Sequence, residues 1–277
     1  MVDTFRTADG ISLAYDVHGT GTPLLCLAGL TRNMDDFEPV VAHFADRAQV
    51  IRLDSRGRGA SDFADPATYT IPQEAADVLA LLDHLALPRV AILGTSRGGL
   101  IAMGLAATAK DRLSGVLLND IGPELDPAGL AHIMDYLGRP SAYKSYDDAV
   151  ARLPKAMGAQ FKNVPPETWA AYARRIWTQG DHRLELRYDP RLREAVEAAG
   201  TGEALDLWPF FDAFAGLPLA LLRGAYSNLL TRDCVAEMRA RRPDMIYAEV
   251  ADRGHVPFLD EPESLGVIDA FLDKVSA

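Results

Sequence analysis

The sequence predicts an α/β protein built on a mostly parallel, doubly wound sheet, with a helical segment inserted in the middle of the chain. Three observations carry that reading. Short apolar runs at residues 23–29, 49–53, 90–93, 113–118 and 218–222 have the pattern of strands covered on both faces. Segments of helical spacing fall between them, so strand and helix alternate. The alternation stops from about Glu124 to Trp208 and then resumes. The expected organisation is a core of residues 1–123 and 209–277, with residues 124–208 inserted as a helical lid.

Each element has a local reason. Thr4 to Thr7 and Ser12 to His18 read as strands joined at Asp9-Gly10, a hairpin dipeptide. The run from Pro23 to Gly29 reads as a buried strand, with Cys26 as a small core thiol. Gln49 to Leu53 repeats the pattern and ends in Asp54-Ser55-Arg56-Gly57-Arg58-Gly59. That stretch lacks the lysine and Ser/Thr of a phosphate loop and the glycine spacing of a dinucleotide turn, so a tight structural turn is expected. Ala75, Val78, Leu79, Leu82 and Ala86 predict a helix over 73–86. Val90 to Leu93 is the next strand, and Leu100, Met103, Gly104 and Ala107 mark the buried face of the helix after it. Leu113 to Leu118 forms a further strand, ending at Asn119-Asp120-Ile121-Gly122-Pro123. The inserted block carries amphipathic helices, Pro154, Pro165-Pro166 and Pro190, several aromatics, and no convincing buried strand. A strand at 218–222, a helix from about Thr231, a strand from Met245 to Val250 and a C-terminal helix close the chain.

Composition narrows the function. A length of 277 residues suits one large domain, or a domain with a sizeable insertion. The formal charge of −11 argues against nucleic-acid binding, which gathers Lys and Arg on one face. The main basic cluster, Arg239-Ala240-Arg241-Arg242, falls near a helix end, where cations complement the dipole. Cys26 and Cys234 are the only cysteines and lie far apart, which suggests neither a disulfide framework nor a cysteine metal site. The start MVDTFRTADG has no apolar signal core, and no stretch is long enough to cross a bilayer. A cytoplasmic protein with a small-molecule substrate, no metal, no cofactor and no membrane insertion is expected; a homodimer is left open.

Gly94-Thr95-Ser96-Arg97-Gly98 fits G-x-S-x-G between a buried strand and an amphipathic helix. In that place the small flanking residues let the backbone bend sharply and lift the serine hydroxyl above the strand ends. The N–H of Arg97, at the helix start, becomes a donor for an oxyanion. The bland alternative is an N-cap serine after an ordinary turn. A serine nucleophile needs a base. Of six histidines, His255 is best placed, in Arg253-Gly254-His255-Val256-Pro257 after a late strand. His18 falls in a strand, His43 and His84 fall on core helices, and His132 and His182 fall in the lid within reach of a substrate. The second oxyanion donor is expected in Leu27-Ala28-Gly29-Leu30-Thr31-Arg32-Asn33, from the N–H of Leu30. Gly29, Tyr136 and Trp169 are candidate substrate contacts. Arg174-Arg175 reads as a solvated helix face rather than as a greeting for an anion.

The chain resembles the α/β-hydrolase fold superfamily over nearly its full length. The resemblance rests on LAGLTRN, DSRGRGASD, GTSRGG, LLNDIGP and RGHVPFLDEP, in that order. It implies the lidded group of esterases, lactonases and carbon–carbon-bond hydrolases. Epoxide hydrolases and haloalkane dehalogenases share the layout but use an aspartate where Ser96 stands. In the superfamily the acid usually follows the strand corresponding to residues 218–222, in a segment like R-G-x-x-S-D. Here that segment is Arg223-Gly224-Ala225-Tyr226-Ser227-Asn228, and the carboxylate is an amide. The expected acid is Asp120, moved to the end of the preceding strand; the alternatives are that Asn228 orients the histidine or that the triad lacks its acid. Asp120 also has a structural reading, as a partner of Arg97. Asp233, in the first turn of a helix, is a poorer candidate.

The expected chemistry is hydrolysis of an ester or related acyl bond through an acyl-enzyme, EC 3.1 in class. Ser96 attacks, His255 moves the proton, and the N–H groups of Leu30 and Arg97 hold the oxyanion. The alternatives are a carbon–carbon hydrolase of a ring-cleavage product and a catalytically weak small-molecule receptor.

Overall fold

A computed structural model describes residues 1–200 and 205–276. Ten strands and ten α-helices follow one another in these residues, eight of the strands in one sheet. β1 (Asp3–Arg6) and β2 (Ser12–His18) pair antiparallel, and β2 also runs antiparallel to β4 (Ala48–Leu53). β3 (Thr22–Leu27), β5 (Val90–Thr95), β6 (Leu113–Asn119), β9 (Leu219–Gly224) and β10 (Ile246–Val250) complete the sheet in the order β1-β2-β4-β3-β5-β6-β9-β10, all parallel from β4 onward.

The apolar runs alternate between two packed faces, as the two-residue period of a strand requires. Leu25, Leu27, Ile92, Val116, Leu118, Leu219 and Leu221 enter one core. There they meet α2 (Ile71–His84), α3 (Arg97–Thr108), α8 (Trp208–Asp212) and α9 (Arg232–Arg241). Leu24, Cys26, Leu93, Leu117, Ala220 and Leu222 enter the other, under α1 (Glu38–Phe44) and α10 (Pro262–Ser276).

The face of α3 differs from its sequence stripe. Ile101, Ala102, Met103, Leu105 and Ala106 are buried, whereas Ala107 is exposed. The helix lies on β5 and β6 with α2 and α8 at its sides, so it is covered almost all round and no narrow stripe describes it.

Between β6 and β9 come α4 (Pro127–Tyr136), α5 (Tyr146–Met157), α6 (Pro166–Ile176), β7 (Trp177–Gln179), β8 (Leu184–Leu186) and α7 (Leu192–Ala199). β7 and β8 form a three-residue antiparallel pair in which only Leu184 is buried, too short to leave a periodic signal. Leu153, Phe161, Trp169, Ala173 and Leu184 form a small separate core with Phe258 of the sheet domain.

The turn after β4 ties this segment down. Gly59 N–H donates to Arg187 O (2.8 Å), and Asp189 N–H donates to Gly57 O (2.8 Å). Asp54 accepts from the N–H groups of Met34 (2.7 Å) and Ala60 (2.8 Å).

Candidate active site

The chain leaves β3 for β4 on one side and returns to β5 on the other, so the loops following β3 and β5 diverge at adjacent strand ends. Such a switch point opens a crevice beyond the carboxyl ends of the strands. Ser96 stands there, the single residue between β5 and α3.

Its backbone has φ 50° and ψ −113°, where a side chain is strained by roughly 1–3 kcal/mol. The surrounding glycines make this turn feasible. A Cβ on Gly94 would fall 2.7 Å from the carbonyl of Gly98, and one on Gly98 would fall 2.1 Å from Leu27 O. Only glycine at both positions lets α3 start this close to β3 and β5.

His255, in the loop between β10 and α10, has Nε2 2.9 Å from Ser96 Oγ. Its Nδ1 is 2.7 Å from Asp120 Oδ2. Asp120 is wholly buried at the end of β6, where it also accepts from Gly224 N–H (2.8 Å) and the Ser227 hydroxyl (2.7 Å). With three donors converging on Asp120, Nδ1 carries a proton and Nε2 is left to accept from Ser96.

The Asn228 side chain lines the crevice but makes no hydrogen bond among the described residues. Asp120, and not Asn228, lies against His255. Nor does Asp120 pair with Arg97, whose guanidinium is held by Glu74. The Asn119 amide donates to Thr95 Oγ1 and Pro257 O, both at 3.2 Å, and so links the serine turn to the histidine loop.

Gly29 and Leu30 line the same crevice, and a Cβ on Gly29 would lie 3.7 Å from Ser96 Cβ. The N–H groups of Leu30 and Arg97 meet no acceptor among the described residues. One buried carboxylate holds both residues. Arg97 donates to Glu74 through Nε (2.9 Å) and Nη2 (2.8 Å). Arg58 donates to Glu74 through Nη1 (2.9 Å) and to Leu30 O through Nε (3.0 Å). Burial alone would raise the pKa of Glu74, but Arg58 and Arg97 overrule it and hold the carboxyl below its ordinary value.

The crevice is a cavity of about 510 Å³. Tyr136, His132, Tyr143, Tyr172, Trp177 and Phe258 are among its walls, an aromatic lining suited to a partly apolar ligand. Trp169, a candidate contact from sequence, is not. It is 2% exposed and packs edge-on against Phe161 and Tyr172, because on α6 it shares a face with Ala173, which points into the small core. His182 is exposed in the β7–β8 turn, outside the cavity. Arg175 lines the cavity, while Arg174 lies outward over the Tyr146 ring at 4.7 Å. His18 pairs with Asp16, and His84 meets Tyr15, both away from Ser96.

A profile of the α/β hydrolase fold matches residues 22–262. The chain belongs to the α/β hydrolase fold family. This α/β hydrolase is 38% identical to a 3-hydroxybutyrate-oligomer hydrolase of Cupriavidus necator, an alignment covering 94% of this chain and 92% of that protein. It is 26% identical to a 2-(acetamidomethylene)succinate hydrolase of Mesorhizobium japonicum, over 95% of this chain and 92% of the other. Among solved structures, an α/β hydrolase of Novosphingobium aromaticivorans superposes with a TM-score of 0.93 at 37% identity, covering 99% of this chain and 98% of that one. As a hydrolase by family and by relatives, the protein is an enzyme. Among its described residues, no helix is long and apolar enough to cross a membrane, and no cluster of His, Cys, Asp or Glu is placed to hold a metal ion.

Three parts of the α/β hydrolase site escaped sequence reading. Ser227 was visible only as the neighbour of Asn228. Glu74 could have been found as a charge on the buried stripe of α2, in phase with Val78 and Leu81. Arg175 was read with Arg174 as a solvated face, since which side of α6 meets the cavity depends on how the inserted segment sits.

Proposed function

We propose that this α/β hydrolase is a serine carboxylester hydrolase, acting through an acyl-enzyme on short oligoesters of small hydroxyacids. The observation that carries the reading is the unbroken run of hydrogen bonds from Ser96 Oγ through His255 to buried Asp120, at the edge of a cavity of about 510 Å³.

In the first half-reaction, Ser96 Oγ bonds to the ester carbonyl carbon as its proton passes to His255 Nε2. The oxyanion is received by the N–H groups of Leu30 and Arg97. The carbonyl–alkoxy bond then breaks, and the leaving alcohol takes the proton from His255. In the second, a water gives its proton to His255, attacks the acyl carbon, and releases the acid while Ser96 regains its hydrogen. Asp120 keeps the imidazole in the required tautomer and offsets its transient charge.

The substrate class is supported by the hydroxybutyrate-oligomer hydrolase relative and by a cavity that combines aromatic walls with arginines. The test is hydrolysis of 3-hydroxybutyrate dimer and trimer and of p-nitrophenyl butyrate, with mass spectrometry for a Ser96-bound acyl group. Turnover that disappears in Ser96→Ala is expected; turnover that survives in Ser96→Ala would refute the assignment.

A further inference from the structure

Two arginines meet on the cavity wall between the loop after β3 and helix α6. Arg32 donates to Asp36 through Nε (2.7 Å) and Nη2, and its guanidinium lies 4.7 Å from the centroid of the Tyr172 ring. Arg175 follows Tyr172 by three residues on α6, which puts the two on one helix face. It reaches Glu38, two residues beyond Asp36, through a single bond from Nε at 3.2 Å. Asn33 Nδ2 donates to Arg175 O at 2.7 Å, and Arg187 Nη1 reaches Asp35 at 2.6 Å, so α6 is pinned to this loop and the pair is held in place.

Both arginines line the cavity, with side chains only 17% and 14% exposed. Their acidic partners use the Nε side. Both Nη groups of Arg175 meet no acceptor among the described residues and are not sealed off from solvent, while Arg32 also meets the Tyr172 hydroxyl on the cavity wall. A guanidinium fixed by one carboxylate, with donors still open, is arranged to take a second one. The wider wall agrees: three arginines (Arg32, Arg139, Arg175) stand against two carboxylates (Asp36, Asp135), in a chain of net charge −11. Arg139 makes no ion pair among the described residues.

The position relative to the chemistry sets the length of the ligand. The point beside Gly29 that lies 3.7 Å from Ser96 Cβ lies 3.4 Å from Arg32 Cγ. The root of the Arg32 side chain therefore stands beside Ser96, and both arginines face the same cavity as the serine, which suits a short ligand.

We propose that Arg32 and Arg175 form a carboxylate-binding subsite, so that the enzyme reads the free acid end of a short oligoester and cleaves the ester bond nearest to it. The inference rests on the ester-hydrolase reading above and adds which end of the substrate is recognised.

The experiment compares kcat/KM for 3-hydroxybutyrate dimer as the free acid and as its methyl ester, with p-nitrophenyl butyrate as a neutral reference. The acid should be preferred by roughly 10- to 150-fold, the range of hydrogen bonds to a charged group. The preference should lie mainly in KM, fade with salt, and collapse in Arg175→Gln and in Arg32→Gln. Arg175→Lys, which keeps the charge, should retain part of it. Equal kcat/KM for acid and methyl ester, or a preference that survives both glutamine substitutions, overturns the subsite while leaving the hydrolase reading intact. A protein that cleaves none of the three esters overturns the hydrolase reading instead. Calorimetric titration of both dimers then decides the subsite: tighter binding of the acid that is lost in Arg175→Gln supports it, and equal binding refutes it.

Discussion

Glu74→Gln would test whether the ordinary-looking core beneath Ser96 sets the geometry of the oxyanion donors. The carboxylate is buried and takes hydrogen bonds from Arg97 Nε and Nη2 and from Arg58 Nη1 at 2.8–2.9 Å. Glutamine keeps the shape but removes the charge and replaces one acceptor oxygen with a donor. The buried guanidinium of Arg58 and the half-buried one of Arg97 then share one acceptor. Breaking a buried ion pair in this way costs roughly 3–5 kcal/mol of stability. For a chain of this size that lowers Tm by about 2–4 °C per kcal/mol. The functional effect is separable from the stability effect. In the proposed mechanism Arg97 and Leu30, the latter held by Arg58, supply the two N–H groups, and loss of one oxyanion donor lowers kcat by roughly 10²–10³. Below the new Tm, kcat should therefore fall about 100-fold, with KM changed little and affinity for a boronic acid transition-state analogue falling in parallel. Arg97→Lys, which keeps a charge opposite Glu74 but loses the two-pronged contact, should show a smaller loss of the same kind. A Glu74→Gln enzyme that is less stable but retains kcat within about threefold of the parent would refute the reasoning.

Other outcomes follow from the same geometry. Asp120→Asn should lower kcat by roughly 10⁴, as the equivalent change does in a serine protease, whereas Asn228→Asp should leave kcat at the parent's order of magnitude; a large gain from Asn228→Asp would contradict the hydrogen bonding of His255. Gly98→Ala sets a Cβ 2.1 Å from Leu27 O, so ester turnover should be lost and the thermal midpoint lowered, by roughly 1–3 kcal/mol of overpacking. Trp169→Ala should destabilise the segment between β6 and β9 by roughly 3–5 kcal/mol through a cavity in its small core, visible as faster proteolysis around α5 and α6. Burial pushes Asp54 from 3.8 up to about 6, against the N–H bonds from Ala60 and Met34. The folded state thus binds this proton more tightly than the unfolded one. The stability contributed by the protonated carboxyl is complete below about pH 4 and is lost as pH rises through 6, roughly 3 kcal/mol in all. Denaturant titrations from pH 4 to 7 should show that slope in the parent and not in Asp54→Asn.

Much of this molecule is determined by local chemistry that a sequence carries openly. The two-residue alternation within the apolar runs fixes strands buried on both faces, and Gly94 and Gly98 around Ser96 mark a turn too tight for any other residue. His255 is legible because it follows a late strand, at the edge where an α/β sheet gathers its ligands. For the acid, the sequence put Asp120 first but left Asn228 open. Asp120 and Asn228 both follow strands at the same sheet edge, and choosing between them requires the distance from each side chain to His255 Nδ1, which depends on how β6, β9 and β10 lie side by side. Trp169 and Arg175 had the reverse fates for a related reason. Helical spacing says that they lie on different faces of α6, but only the docking of α6 against the strand ends decides which face meets the cavity and which meets Phe161. Sequence determined the elements and the residues able to do chemistry, because those follow from contacts a few residues apart. Tertiary structure decided which carboxylate lies against the histidine and which arginines line the cavity, because those follow from contacts between residues more than a hundred positions apart.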